Sequence, residues 1–276
     1  MKQANPNTAR FGCCGSMISP ATDPVGGEIV ESLARFGFDY IELSLAHLTA
    51  LPEREFDGLQ KRLERSGITC EACNNFFPPS VRLTGPEARL SAALEYANGA
   101  LGRAARLGGR IVVFGSSGAK NVPQGFPVDA AWQQIRELLG HLGSMAARQG
   151  ITIVIEPLCK QESNLVNNAA EGLRLAREVD HPNIRLLIDY YHLMMEHEDP
   201  DILLEAGPMI RHLHFAQVAG RAFPQDPDDG YVRFFDRLRR IGYAGRYSIE
   251  AYTRDFAAEA PRALGLLKTT ATGPRV

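Results

Sequence analysis

Four side chains that can bind a metal or carry a proton each close a short apolar run in the second half of the chain. They are Glu156 in Ile151-Thr-Ile-Val-Ile-Glu156-Pro157, Asp189 in Leu186-Leu-Ile-Asp189, His214 in Ile210-Arg-His-Leu-His214 and Glu250 in Tyr247-Ser-Ile-Glu250. An extended strand sends successive side chains to opposite faces. Thr152, Val154 and Glu156 therefore share one face, Leu187 lies with Asp189, His212 with His214, and Ser248 with Glu250. Three carboxylates that converge away from water do not all stay ionised unless a cation neutralises them. A Glu, Asp, His, Glu set offers oxygen and nitrogen donors. It suits one divalent ion, Mn²⁺ first, with Co²⁺, Mg²⁺ or Zn²⁺ as the other candidates, and differs from a thiolate-type structural zinc site. Any one of the four taken alone is equally well a polar residue that solvates a strand end; their recurrence on four consecutive runs favours the metal.

The elements that must position these residues follow a regular rhythm. Apolar runs at 11–16, 38–44, 68–74, 110–115, 151–156, 184–189, 210–215 and 246–250 alternate with longer amphipathic segments, the pattern of a parallel α/β architecture. Leu90, Leu94, Ala97, Leu101 and Ala104 form one helical stripe, and Trp132, Ile135, Leu139, Leu142 and Ala146 another. Gly67, Gly108, Gly150 and Gly242 stand where helices end just before a strand. Eight such pairs in 276 residues match one (β/α)₈ barrel, read as a single domain over 1–276. The long Pro/Gly/Ser-rich stretches at 78–86, 116–127 and 218–230 all follow strands, and in a barrel those loops build the active-site face. An open doubly wound sheet is the competing fold, but no GxGxxG follows the first strand.

Composition narrows the function class. The chain is 45% hydrophobic and 22% charged with a net charge of −2, which fits a globular protein with a large core and gives no general attraction to nucleic acid. The start, MKQANPNTARFG, has neither a basic segment followed by an apolar one nor a membrane-spanning run, so a cytoplasmic protein with no membrane partner is expected. Five scattered cysteines argue against a disulfide framework, and Cys70-Glu-Ala-Cys73, without a second pair, reads as reduced and partly buried thiols near a strand.

At the four strand ends the sequence resembles the xylose-isomerase-like barrel superfamily of sugar isomerases and epimerases, and is most similar to the D-tagatose/D-allulose 3-epimerase type. The resemblance runs over nearly the whole chain and is most specific in Ile155-Glu-Pro-Leu158, Ile188-Asp-Tyr-Tyr-His192, His212-Leu-His214 and Ser248-Ile-Glu250. It implies a xylose isomerase-like fold, one divalent metal on Glu156, Asp189, His214 and Glu250, and a homodimer or homotetramer. It also implies substrate contacts from Glu162, His192 and Arg221, although Arg221 lies one residue farther from His214 than in the epimerases. Cys159-Lys160 stands where the epimerases carry Asn-Arg, and Ala216-Gln217 where they carry Gly-Glu, so the substrate can differ from a free ketose. His212 lies one layer deeper than His214 and reads as a packed or supporting histidine. Glu42, at the end of the second run, reads equally as a pocket acid or as a solvated rim residue.

In such a site two carboxylates on opposite sides of a carbon next to a carbonyl serve as base and acid, roles that fall to Glu156 and Glu250. Epimerisation, aldose–ketose isomerisation and loss of a β-hydroxyl, as in an inosose-type dehydratase, all begin from the same proton abstraction. An endonuclease IV-like phosphodiesterase shares the barrel but needs a His-rich zinc cluster and a basic surface, whereas this chain has seven His in all. A non-catalytic sugar-binding barrel remains a further reading, and paired acids count against it. Gly115-Ser-Ser-Gly118 reads either as a phosphate cradle or as a turn.

Overall fold

The computed structural model describes residues 9–273. Eight strands, β1 (Arg10–Cys14), β2 (Tyr40–Ser44), β3 (Thr69–Asn74), β4 (Ile111–Phe114), β5 (Thr152–Ile155), β6 (Ile184–Asp189), β7 (Ile210–Phe215) and β8 (Arg246–Ile249), follow one another around a closed barrel. All neighbouring pairs are parallel, including β8 with β1. Every strand read from the sequence is present: β6 and β7 have the expected bounds, β1 begins one residue earlier and ends two residues earlier, and the other five are shorter by one or two residues. β1 stops at Cys14 because Gly15–Met17 coils into a 3₁₀ turn. β5 and β8 stop one residue early, so Glu156 and Glu250 are the first residues beyond their strands.

The helices form the outer ring. On Leu90–Arg106 the inward positions are Ala93, Ala97, Ala100, Leu101 and Ala104, while Leu90 and Leu94 are only partly buried. The buried stripe thus keeps Ala97, Leu101 and Ala104 of the one expected and has Ala93 and Ala100 in place of Leu90 and Leu94. On Val128–Arg148 the expected stripe is buried throughout. Gly67 caps Glu53–Ser66 in the left-handed conformation, and Gly108, Gly150 and Gly242 also have positive φ, a backbone state in which glycine carries no Cβ penalty.

The core has two parts. Outward strand residues such as Ile153, Ile155, Leu186, Leu213 and Ile249 join the helices in one large cluster, and Tyr40, Ala72, Ile111, Val113, Val154 and Leu187 fill the barrel interior. Two register shifts matter to the site. On β7, Ile210 pairs with Leu186 and His212 with Leu187, so Arg211 is bulged out and His212 and His214 stay in phase with Leu187 and Asp189. On β3, Cys70 pairs with Ile41 and Ala72 with Glu42, and Glu71 is the extra residue.

The segment 156–168 joins 75–89, 115–127 and 216–228 as a long connection after a strand, one that the sequence reading did not single out. All five cysteines are free and fully buried, including Cys70 and Cys73, for which partial burial was expected and whose sulfurs lie 3.7 Å apart. No helix among the described residues is long and apolar enough to cross a membrane.

Candidate active site

Register assembles the centre of the site. Asp189 on β6 pairs with His214 on β7, His214 pairs with Ser248 on β8, and Glu156 and Glu250 follow immediately after β5 and β8. One ligand atom each from Glu156, Asp189, His214 and Glu250 falls within 4.8 Å of all the others, and all four residues are buried. His214 Nδ1 lies 2.9 Å from Glu156 Oε1 and 3.3 Å from Glu250 Oε2. Three buried carboxylates and an imidazole nitrogen so close together form a donor set that fits a divalent cation of oxygen–nitrogen preference.

Glu42 supports the set from below. Glu42 is fully buried, which excludes the solvated-rim reading. Its carboxylate accepts from His212 Nε2 at 2.8 Å, from His214 Nε2 at 3.0 Å and from the Ser248 hydroxyl, while the Tyr40 hydroxyl lies 2.8 Å from Ser248 Oγ. Burial by itself would raise the Glu42 carboxyl, but His214 and His212 outweigh it and hold it well below the usual carboxylate range. With Nε2 fixed on Glu42, His214 turns Nδ1 toward Glu156 and Glu250, the arrangement by which a carboxylate orients a metal-binding histidine. His212 supports and does not join the four, as its depth on the strand implied.

The two candidate proton-transfer acids sit in unlike fields. Burial raises the Glu156 carboxyl above its ordinary value despite the opposing effect of His214. Burial acts on Glu250 in the same sense, but His214 and Arg221 prevail and keep it well below. Asn74, at the end of β3, donates from Nδ2 to Glu250 Oε1 at 2.9 Å and fixes that carboxylate. Pairs of acids pushed apart in this way are typical of sites where one group accepts a proton and the other stays ionised.

The three residues expected to hold substrate are also brought here. His192 accepts the Cys159 backbone N–H on Nδ1 at 3.2 Å, so Nε2 carries its proton. That Nε2 is buried without a hydrogen-bond partner, 3.6 Å from Asp189 Oδ2 and 3.9 Å from Glu162 Oε2. Arg221 reaches Glu162 at 3.0 Å, Asp189 at 3.4 Å and Glu250, with its guanidinium 4.8 Å from the centre of the Tyr191 ring. Arg221 stands in a tight turn, where Gly220 and Arg221 both have positive φ and Gln217 N–H closes onto Ala222 O at 2.8 Å.

Residues 115–118 form a turn. Ser116 is left-handed, its hydroxyl accepts the Phe77 N–H at 3.0 Å, and a single helical turn, Ser117–Lys120, follows. Gly115 is needed for a different reason: a Cβ there would lie 2.1 Å from Glu156 Oε2. The same turn inserts Lys120, which is 1% exposed, with Nζ 3.4 Å from the Glu156 main-chain oxygen. Burial lowers its ammonium to about 8. Neither Asn74 nor Lys120 was singled out from the sequence. No local signal marks Lys120, but Asn74, as the last polar residue of a strand, obeyed the rule that found the four central residues.

The chain is 25% identical over 236 residues to the D-psicose 3-epimerase of Agrobacterium fabrum, covering 83% of this chain and 80% of that protein. It is 26% identical over 249 residues to a 2-oxo-tetronate isomerase of Cupriavidus necator, covering 84% and 88%. The crystal structure of a D-allulose 3-epimerase from Methylomonas sp. in complex with D-allulose superposes with a TM-score of 0.84 at 21% identity, over 96% of this chain and 98% of that one. A profile described as Xylose isomerase-like TIM barrel matches residues 30–270, and the chain belongs to that family.

Proposed function

We propose that this protein is a divalent-metal-dependent epimerase or isomerase that moves a proton at the carbon next to the carbonyl of a small sugar or sugar-derived compound. The observation that carries the reading is the convergence of Glu156 and Glu250 with Asp189 and His214 within 4.8 Å, in a chain similar to proteins named D-psicose 3-epimerase and 2-oxo-tetronate isomerase. Glu156, Asp189, His214 and Glu250 would hold the ion, which when bound polarises a carbonyl and steadies negative charge on its oxygen.

The chain's own residues do the rest. One of Glu156 and Glu250 takes the proton from the carbon and the other returns a proton to the opposite face, which inverts the centre. Return to the neighbouring carbon gives aldose–ketose isomerisation instead. His192 Nε2–H and the Arg221 guanidinium donate to substrate oxygens, and Glu162 accepts from a hydroxyl while holding Arg221 in place.

The test is solvent exchange. The Mn²⁺-loaded protein is incubated in D₂O with ketoses, keto acids and inosose-like ketones, and deuterium uptake is located by NMR. Glu156→Gln and Glu250→Gln should each lower net turnover by about 10²–10⁴-fold, the range for a lost general acid or base. Chelation of the metal should abolish exchange. Full turnover in both variants, with metal occupancy unchanged, would refute the two-acid reading.

A further inference from the structure

Lys120 is nearly fully buried, yet its ammonium forms no ion pair among the described residues, and the one hydrogen bond that it makes there is a long one to a main-chain carbonyl. A buried ammonium is costly unless an anion or several acceptors compensate it. The neighbouring cations are already used: Arg221 is shared among Glu162, Asp189 and Glu250, and Arg82 donates to Gly118 O and Asn121 O. The lysine is also held in place. Thr84 donates to the Lys120 carbonyl, and the turn that carries it is tied to 77–84 through Ser116 and Arg82. Its head group lies at the top of β5, against the residue that bears one of the two proposed proton-transfer acids.

We infer that Lys120 is a specificity-determining residue whose ammonium receives the carboxylate of an acidic sugar substrate, so that the natural substrate is a keto sugar acid in preference to a neutral ketose. This rests on the epimerase or isomerase reading and narrows it. Charge count favours a carboxylate over a phosphate. A phosphate carries about −1.5 to −2 and three acceptor oxygens and is usually met by several donors. Here the cation offered is a single ammonium, with the nearby guanidinium of Arg82 already donating to two main-chain carbonyls. The substrate's carboxylate would supply the counter-charge that the fold leaves out.

Two measurements test this. In the first, the Mn²⁺-loaded enzyme is assayed by deuterium exchange with a four-carbon 2-keto aldonic acid, a neutral ketose and a ketose phosphate. The acid should be preferred at least tenfold in kcat/KM, and Lys120→Met should remove that preference mainly through KM. An enzyme that prefers the neutral ketose, or a variant that loses both substrates equally, overturns the assignment, and a preference for the ketose phosphate overturns the carboxylate. In the second, binding of threonate, which lacks the carbonyl, is measured by calorimetry against the neutral polyol threitol. The parent should bind threonate at least tenfold more tightly, and Lys120→Met should lose the difference while its near-UV circular dichroism and unfolding temperature stay close to the parent's. Equal binding of threonate and threitol by the parent overturns the inference. Absence of exchange with every compound overturns the reading beneath it, and the binding result still decides whether Lys120 recognises carboxylate.

Discussion

Replacing Gly115 with Ala tests whether the position of the Glu156 carboxylate is what makes the site work. An alanine Cβ would lie 2.1 Å from Glu156 Oε2 and 3.3 Å from its Cδ, whereas ordinary contact begins at 3.4 Å. The carboxylate oxygen must therefore withdraw by about 1.3 Å, the difference between those limits. Displacing a reacting group by about 1 Å can cost on the order of 10²-fold in rate. The fold should survive, because the atom that must move is the far end of a side chain and Gly115 is not among the glycines of positive φ. Restricting the unfolded chain contributes roughly 0.4–1 kcal/mol in the variant's favour. The expected result is a kcat about 10²-fold lower at saturating Mn²⁺, weaker metal binding, and an unfolding temperature within a few degrees of the parent's. The assay is the initial rate of deuterium incorporation into the confirmed substrate, with metal affinity measured by chelator competition. A kcat within threefold of the parent would show that the carboxylate does not act from the place it occupies.

Three further outcomes are expected. Glu42→Gln presents an amide donor to one of two histidine N–H groups that now share its carboxylate, and metal affinity should fall about 10–100-fold, as is usual when a histidine ligand loses its orienting partner; affinity within twofold of the parent would rule out that support. Burial raises the Glu198 carboxyl to about 7 from an ordinary value of 4.5, even though its two oxygens accept from Ala169 N–H at 2.9 and 3.1 Å. A raised carboxyl favours folding while it is protonated in the native state, so the stability it contributes is present below about 4.5 and is lost as pH rises through about 7. Urea unfolding from pH 4.5 to 8 should give a parent-minus-Glu198→Gln difference that declines with pH, and a flat difference refutes the assignment. Finally, the chain is expected to form a homodimer or homotetramer; light scattering at micromolar concentration that returns 30.3 kDa, one chain's mass, would exclude it.

The sequence alone determined the features that depend on residues close together along the chain. Alternation along 151–156 and 184–189 fixed which side chains face inward, and apolar runs ending at Glu156, Asp189, His214 and Glu250 marked strand ends at the barrel mouth, because strand periodicity and strand termination are local. The repeated strand–helix rhythm fixed the architecture for the same reason. Tertiary structure decided what depends on register and on distant partners. The bulge at Arg211 keeps His212 and His214 facing inward, and it exists only in the pairing of β7 with β6. Glu42 lies 170 and 172 residues from the histidines it orients, so nothing local separates a buried support from a solvated rim acid. The turn that brings Arg221 to the acids depends on loop closure onto Ala222 and Tyr252. Lys120 is the plainest case: a lysine after a Gly-Ser-rich segment reads as solvated, and only the packing of 77–84 over that turn buries its charge beside Glu156.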